Sequence, residues 1–408
     1  MGRLATVLGL LGRPGWAGRT DRVESYERAF AATVLGEAER PALAFWRGRV
    51  ALWAILRAAG VSDGEEVILP AYTCEMVPAA VKFAGGKCVY VDVAPGAFNP
   101  SAAQLADAIT DRTRAIVCQH TYGIPFAVWD LAAARRGILI IEDCCHLIGG
   151  EGAPKGLAIT GQAAFFSTQW SKPYSTGLGG MAVFSDRALA EAVRNVREGF
   201  PRDRDRGRSR SLALQVLLHD LTVRPMTRAV IARAYRWAQR RGIVRGTTTA
   251  EEYGRTMPAD YLACATNVQA ALGLQALGEW PAGVEHRRRL TEFYLEGLAA
   301  LGADVSPMRC DGRPLALWGV PILVENAHEI VDRAGREGLP VNTWFGDLPV
   351  HITAARAGQY DYALGRCAWT EWMIPREVHL VTAPSVTLER AEAALRLIRQ
   401  SARLARRG

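Results

Sequence analysis

Four of the chain's 49 basic residues are lysines: Lys82, Lys87, Lys155 and Lys172. A composition that uses arginine wherever charge is enough makes a retained lysine a candidate for chemistry that arginine cannot do. Arginine keeps its proton, whereas a lysine in a partly desolvated pocket can be driven toward the neutral amine and form a Schiff base with an aldehyde. Lys172 has the most telling setting, within Ala163–Phe184, AAFFSTQWSKPYSTGLGGMAVF. An apolar segment ending at Phe166 leads through Ser167 to the lysine. A glycine-rich turn (Gly177, Gly179, Gly180) and a second apolar segment, Met181 to Phe184, follow. This pattern predicts strand, loop, strand. The competing reading is a solvated loop lysine.

The second reactive group lies upstream in GILIIEDCCHLIGG. Ile138 to Ile141 is a continuous apolar run, as in a parallel strand covered on both faces. Glu142 and Asp143 close it at the carboxyl end, where open α/β sheets bind ligands. An aspartate so placed could keep the pyridinium nitrogen of pyridoxal phosphate protonated, making the ring an electron sink. Alone, an acidic residue at a strand end is more often a turn or cap residue. Paired with Lys172, it favours the cofactor reading.

PAYTC (Pro70 to Cys74), VDV (around Asp92), HTYGIP (His120 to Pro125), IEDCCH (Ile141 to His146), FFSTQWSK (Phe165 to Lys172) and GLGG (Gly177 to Gly180) follow in order. From about Phe45 to the C-terminus, this series resembles the DegT/DnrJ/EryC1/StrS family of pyridoxal-phosphate aminotransferases acting on sugars and aminocyclitols. The resemblance implies an α/β fold of type I, with a large domain built on a mixed, mostly parallel sheet and a smaller C-terminal α+β domain. It implies pyridoxal 5'-phosphate as cofactor, Lys172 as its Schiff-base residue, Asp143 at the ring nitrogen, His146 at the ring or its phenolic oxygen, and Ser167 at the phosphate. The helix expected from Gly48 offers free amides and a positive dipole end to that phosphate. Arg49 stands where the family has threonine, and Cys74 where it usually has an aromatic residue stacked on the ring. Either Tyr72 or His146 then covers the ring, or the site is remodelled for another substrate. Tyr72 and Thr73 are further cofactor-binding candidates. The family's Asn and Arg before TNVQAALGLQAL are absent, with Leu262 and Cys264 in their places. By the same resemblance the site is completed across a homodimer interface.

At 408 residues the chain exceeds one ordinary core. The expected division is residues 1–278, an N-terminal segment and cofactor-binding large domain, and residues 279–408, the small domain. Within the first, a helical insertion at about 200–257 opens on an alternating charge run, PRDRDRGRSRS, read as a solvated loop. Two amphipathic helices follow, one through Leu214, Leu217, Leu218 and Leu221, the other through Val230, Ala234 and Trp237. An amphipathic first helix ends at Arg13 and Pro14, and no segment is long and apolar enough to cross a membrane. The net charge of +8 is mainly coding bias toward arginine and would also suit an anionic substrate. Acids among the arginines, without aromatic interleaving, disfavour nucleic acid. Eight cysteines at neither metal-like nor disulfide-like spacing fit a reduced, cytoplasmic protein. No metal cluster, serine or cysteine triad, or Walker loop is evident. The expected function is transfer of an amino group from glutamate or glutamine to a keto sugar or related carbonyl compound. A lyase-type or bond-forming pyridoxal enzyme of natural-product biosynthesis and a non-catalytic pyridoxal-binding scaffold are the alternatives.

Overall fold

The computed structural model describes residues 2–12, 16–17, 21–126, 137–148, 159–202, 204–222, 250–254, 256–344 and 354–405. Its centre is a seven-stranded sheet of β1 (Ala42–Phe45), β2 (Glu66–Pro70), β3 (Lys87–Val91), β4 (Thr113–Gln119), β5 (Leu139–Asp143), β6 (Ala163–Ser167) and β7 (Gly180–Phe184), in the order β1-β7-β6-β5-β4-β2-β3. The pairs β2/β3, β2/β4, β4/β5 and β5/β6 are parallel, whereas β7 runs antiparallel to both its neighbours. β2, β6 and β7 are almost wholly buried, as their continuous apolar runs require of a sheet covered by helices on both faces.

The parallel pairing brings the functional strand ends together. Gln119 at the end of β4 pairs with Asp143 at the end of β5, and Asp143 with Phe165 of β6. Ser167 ends β6 opposite Gly180. Helix α1 (Arg3–Leu11) is followed by α2 (Arg22–Phe30) and α3 (Gly48–Ala58). The start of α3 meets β6 and β7 so closely that glycine is required on both sides. A Cβ on Gly180 would collide with the backbone of Arg47 and Gly48, and one on Gly48 would lie 3.0 Å from the Phe166 carbonyl oxygen. The glycine-rich turn thus brings the helix N-terminus and the lysine loop into backbone contact. Gly177 takes φ +83°, the left-handed region open to glycine at little cost.

The short paired strands Arg309–Cys310 and Arg313–Pro314, edge strand β1 and the strand Glu377–Val381 escaped the sequence pattern. The last of these is the middle of a three-stranded sheet between Gly319–Leu323 and Val341–Asn342, antiparallel to both. One helix spans Asn267–Ala299 with Pro281 inside it. It begins with a capping box in which Thr266 and Gln269 bond each other's backbone amides. The Gln269 side-chain amide also donates to Trp46 O at 3.1 Å and Leu178 O at 2.7 Å, fixing the helix to the glycine-rich turn.

In the insertion, Asp205–Thr222 is helical, so the second half of the charge run is not loop. Arg208 lies buried within it and donates to Asp260 O at 3.0 Å and Asp205 at 3.3 Å. The expected helix through Val230, Ala234 and Trp237 lies outside the described residues. No helix among the described residues is long and apolar enough to span a membrane.

Gly180→Ala should destabilise the protein by about 1–3 kcal/mol, the usual cost of overpacking a tight contact, as read by chemical denaturation. A change under about 0.5 kcal/mol, within the range of a neutral surface substitution, would show that the approach of Gly180 to Gly48 is not tight.

Candidate active site

The ends of β4, β5 and β6, the start of α3 and the lysine loop line one cavity of about 680 Å³ of empty space, open mouth included. Lys172, Asp143, His146, Ser167, Gly48, Arg49 and Cys74 all line it. Lys172 Nζ lies 3.0 Å from His146 Nε2. The other ring nitrogen, Nδ1, accepts the backbone N–H of Tyr122 at 3.4 Å. A neutral imidazole carries one proton, so this bond leaves it on Nε2, where Lys172 can accept it only as the uncharged amine. Tyr122 holds that N–H in place from a left-handed backbone, φ 59°, a conformation costly for a bulky residue and common at functional sites. Its carbonyl accepts from Trp318 N at 2.8 Å.

Trp318 completes the clamp. Its indole stacks on the His146 ring at 4.2 Å and 7°, its Nε1 donates to Ser171 O at 2.8 Å, and Lys172 Nζ lies 5.8 Å over its ring. Burial pushes His146 well below the ordinary histidine value, helped by the charges of Lys172 and His379. Asp143 is buried, and Cys145 N donates to its Oδ1 at 3.0 Å. Burial raises its carboxyl above the ordinary aspartate value, against the Cys145 bond and the Lys172 and His120 charges.

At the other end of the cavity are the helix N-terminus at Gly48 and two arginines. Both are held by Glu252 of the insertion, Arg47 at 2.6 Å and Arg49 at 3.0 Å, with all three side chains largely buried. Arg49 Nη1 also lies 2.6 Å from Met76 Sδ. The two guanidiniums lie beside a helix N-terminus whose dipole favours an anion.

Tyr72 and Thr73 are not among the lining residues. The Tyr72 hydroxyl bonds that of Tyr122 at 2.7 Å, and Thr73 Oγ1 donates to Gln119 Oε1 at 2.7 Å. Arg47, Cys145, Gln119, Gln169 and Trp344 line the cavity and were not singled out in the sequence. A charged residue before Gly48 was the only hint for Arg47, and Trp344 carried no motif. Nearby, Glu142 accepts from Thr160 N and Gly161 N, both at 2.7 Å, and lies 2.9 Å from His120 Nε2. His120 Nδ1 accepts from Phe126 N at 3.1 Å, so its Nε2 proton points at Glu142. His120, Glu142 and Cys144 lie close enough together to share a metal ion. The His120 and Glu142 ligand atoms are already engaged, however, and burial pushes the Cys144 thiol up, keeping it protonated. We read this group as a network that fixes the end of β5.

An amine, a desolvated carboxylate and an anion-binding helix end in one cavity fit pyridoxal phosphate: an aldehyde for Lys172, a ring nitrogen for Asp143, a phosphate for the α3 end. The mostly parallel seven-stranded sheet with this lysine loop defines an α/β protein of the type I pyridoxal-phosphate fold. The model of the DegT/DnrJ/EryC1/StrS aminotransferase family matches residues 5–399, and the chain belongs to that family. GDP-perosamine synthase of Escherichia coli O157:H7 is 35% identical over 144 residues, 35% of this chain and 40% of that protein. L-glutamine:scyllo-inosose aminotransferase of Streptomyces griseus is 36% identical over 182 residues, 43% of this chain and 42% of that protein. The chain thus spans about two fifths of the length of these curated relatives. The aminotransferase TlmJ from Streptoalloteichus hindustanus shares the fold at TM-score 0.70 and 22% identity, over 98% of this chain and 95% of that one. The putative sugar aminotransferase Spr1654 from Streptococcus pneumoniae, solved in a PLP form, does so at TM-score 0.70 and 18% identity, over 98% and 95%.

The two shifted groups respond oppositely to acid. His146 is held neutral, so unfolding takes up a proton below the ordinary histidine value and stability falls there as pH falls. The raised Asp143 costs stability at neutral pH, and that cost disappears as pH drops through its folded value toward 3.8, its ordinary value. Asp143→Asn should therefore raise the melting temperature of the cofactor-free protein at pH 7, with a gain that shrinks on acidification. A lowered melting temperature at pH 7 would contradict the desolvated state of this carboxylate.

Proposed function

We propose that the protein is an aminotransferase that uses pyridoxal 5'-phosphate to move an amino group from glutamate or glutamine to a keto sugar or related carbonyl compound. The setting would be sugar, cell-surface or natural-product biosynthesis. The observation that carries this reading is the meeting of Lys172, Asp143 and His146 in one cavity with an anion-binding end at Gly48. When bound, the cofactor supplies an aldehyde that takes up amines and a ring that accepts electrons. Lys172 anchors it and moves the proton at the substrate's α-carbon, a general acid–base role. Asp143 holds a proton on the ring nitrogen, for which its desolvated carboxylate is suited. His146 presents its Nε2 proton beside the amine and fixes the position of Nζ. Gly48, Ser167 and Arg49 hold the phosphate, and Cys74 flanks the ring.

We infer the domain division near residue 278; it falls within the helix Asn267–Ala299, which lies in the chain between the seven-stranded sheet, whose last strand ends at Phe184, and the three-stranded sheet, whose first strand starts at Gly319. We read the assembly as a homodimer. Leu8 of α1 and Leu214, Leu218 and Leu221 of Asp205–Thr222 are exposed on two helices that pack together, and burying such leucines drives association. Free thiols at all eight cysteines suit a reducing compartment and support a cytoplasmic reading.

Glutamate or glutamine added to the holoenzyme should convert the cofactor to pyridoxamine phosphate, followed by its absorbance. Asp143→Asn should slow that conversion on the order of 10²-fold or more, as expected when a proton-holding group is lost. No conversion by any donor, with an eliminated product from another substrate, would favour the lyase-type enzyme instead. Sedimentation of the holoenzyme should give a dimer; an active monomer would show that no second subunit completes the site.

A further inference from the structure

The residues assigned to the cofactor come from the seven-stranded sheet and its connections. Trp344 comes from elsewhere, just beyond Val341–Asn342 of the three-stranded sheet, yet lines the same cavity. Its placement is heavily determined. Trp344 N donates to Glu377 Oε2 at 2.9 Å, and the preceding Thr343 hydroxyl donates to the same oxygen at 3.0 Å. The other oxygen of Glu377 lies 3.0 Å from His379 Nδ1, with both side chains buried. The indole packs edge-on to His146 at 4.5 Å, Tyr72 at 5.1 Å and Tyr122 at 5.7 Å. A large flat side chain held this firmly presents apolar area at little entropic cost on ligand binding. Gln169 is a polar lining residue of the same space. An apolar plate with a polar side chain in the same cavity is the arrangement that selects a ligand having one apolar face and many hydroxyls. A six-membered polyol ring is such a ligand, since its axial C–H bonds form an apolar face. Glutamate and glutamine have none.

We propose that Trp344 is the specificity-determining wall for the carbonyl acceptor, packing against the C–H face of a six-membered polyol ring, and that Glu377 is the positioning residue that presents it. The proposal rests on the aminotransferase reading above and extends it to the acceptor's shape.

The test follows each half-reaction of the holoenzyme separately, with glutamate and glutamine as donors and with scyllo-inosose, a nucleotide-linked 4-keto-hexose and pyruvate as acceptors. Trp344→Ala should raise KM for the ring acceptors at least ~10-fold, the scale of a lost buried aromatic contact, and by several-fold more than it raises KM for the donor or for pyruvate. Trp344→Phe should recover most of the loss. Glu377→Gln should raise the ring-acceptor KM by more than it raises the donor KM, a split that general loosening of the fold would not produce. Equal effects of Trp344→Ala on donor and ring acceptor, no effect on either, or a wild type that aminates pyruvate and neither ring would overturn the proposal. A wild type that no donor converts would instead overturn the aminotransferase reading itself.

Discussion

An amine and an imidazole nitrogen 3.0 Å apart in a desolvated cavity form the contact on which the rest of the site depends. The imidazole cannot turn away, because Tyr122 N holds Nδ1 and the Trp318 indole covers one face. Nor can the lysine loop drift, because the same indole donates to Ser171 O. Trp318 precedes Gly319–Leu323, and His379 of the neighbouring strand lies 5.1 Å from its ring. Through these contacts the three-stranded sheet fixes where Lys172 points.

Charge in the cavity is arranged around what it must hold. Asp143 is buried at one end, where a pyridinium partner would repay its desolvation. At the other end Glu252 divides one carboxylate between Arg47 and Arg49, beside the helix N-terminus at Gly48. An insertion segment distant in sequence thereby becomes part of the anion-binding end. The backbone contact of Gly48 with Gly180 joins the anion-binding end to the lysine loop.

The sequence made legible whatever lies on one strand, one loop or one helix start. Lys172, Asp143 and Gly48, readable at the ends or starts of their elements, share one cavity with His146, Ser167, Arg49 and Cys74, which the family resemblance supplied. Tyr72 and Thr73 were candidates through the same PAYTC motif as Cys74. They turn into the core because side chains in an irregular turn follow no period, and Gln119 and Tyr122 offer buried partners. Trp344, Glu252 and Glu377 reach the site through contacts between residues far apart in the chain, which no local pattern encodes. Edge strand β1 was missed because four residues, ALAF, do not alternate.

The central claim is that Lys172 carries the cofactor, and borohydride reduction of the holoenzyme followed by peptide mass mapping tests it most directly. A single pyridoxyl phosphate adduct on Lys172 is the predicted result, with none in Lys172→Ala. An adduct on Lys82, Lys87 or Lys155, or no adduct at all in the wild type, would contradict it.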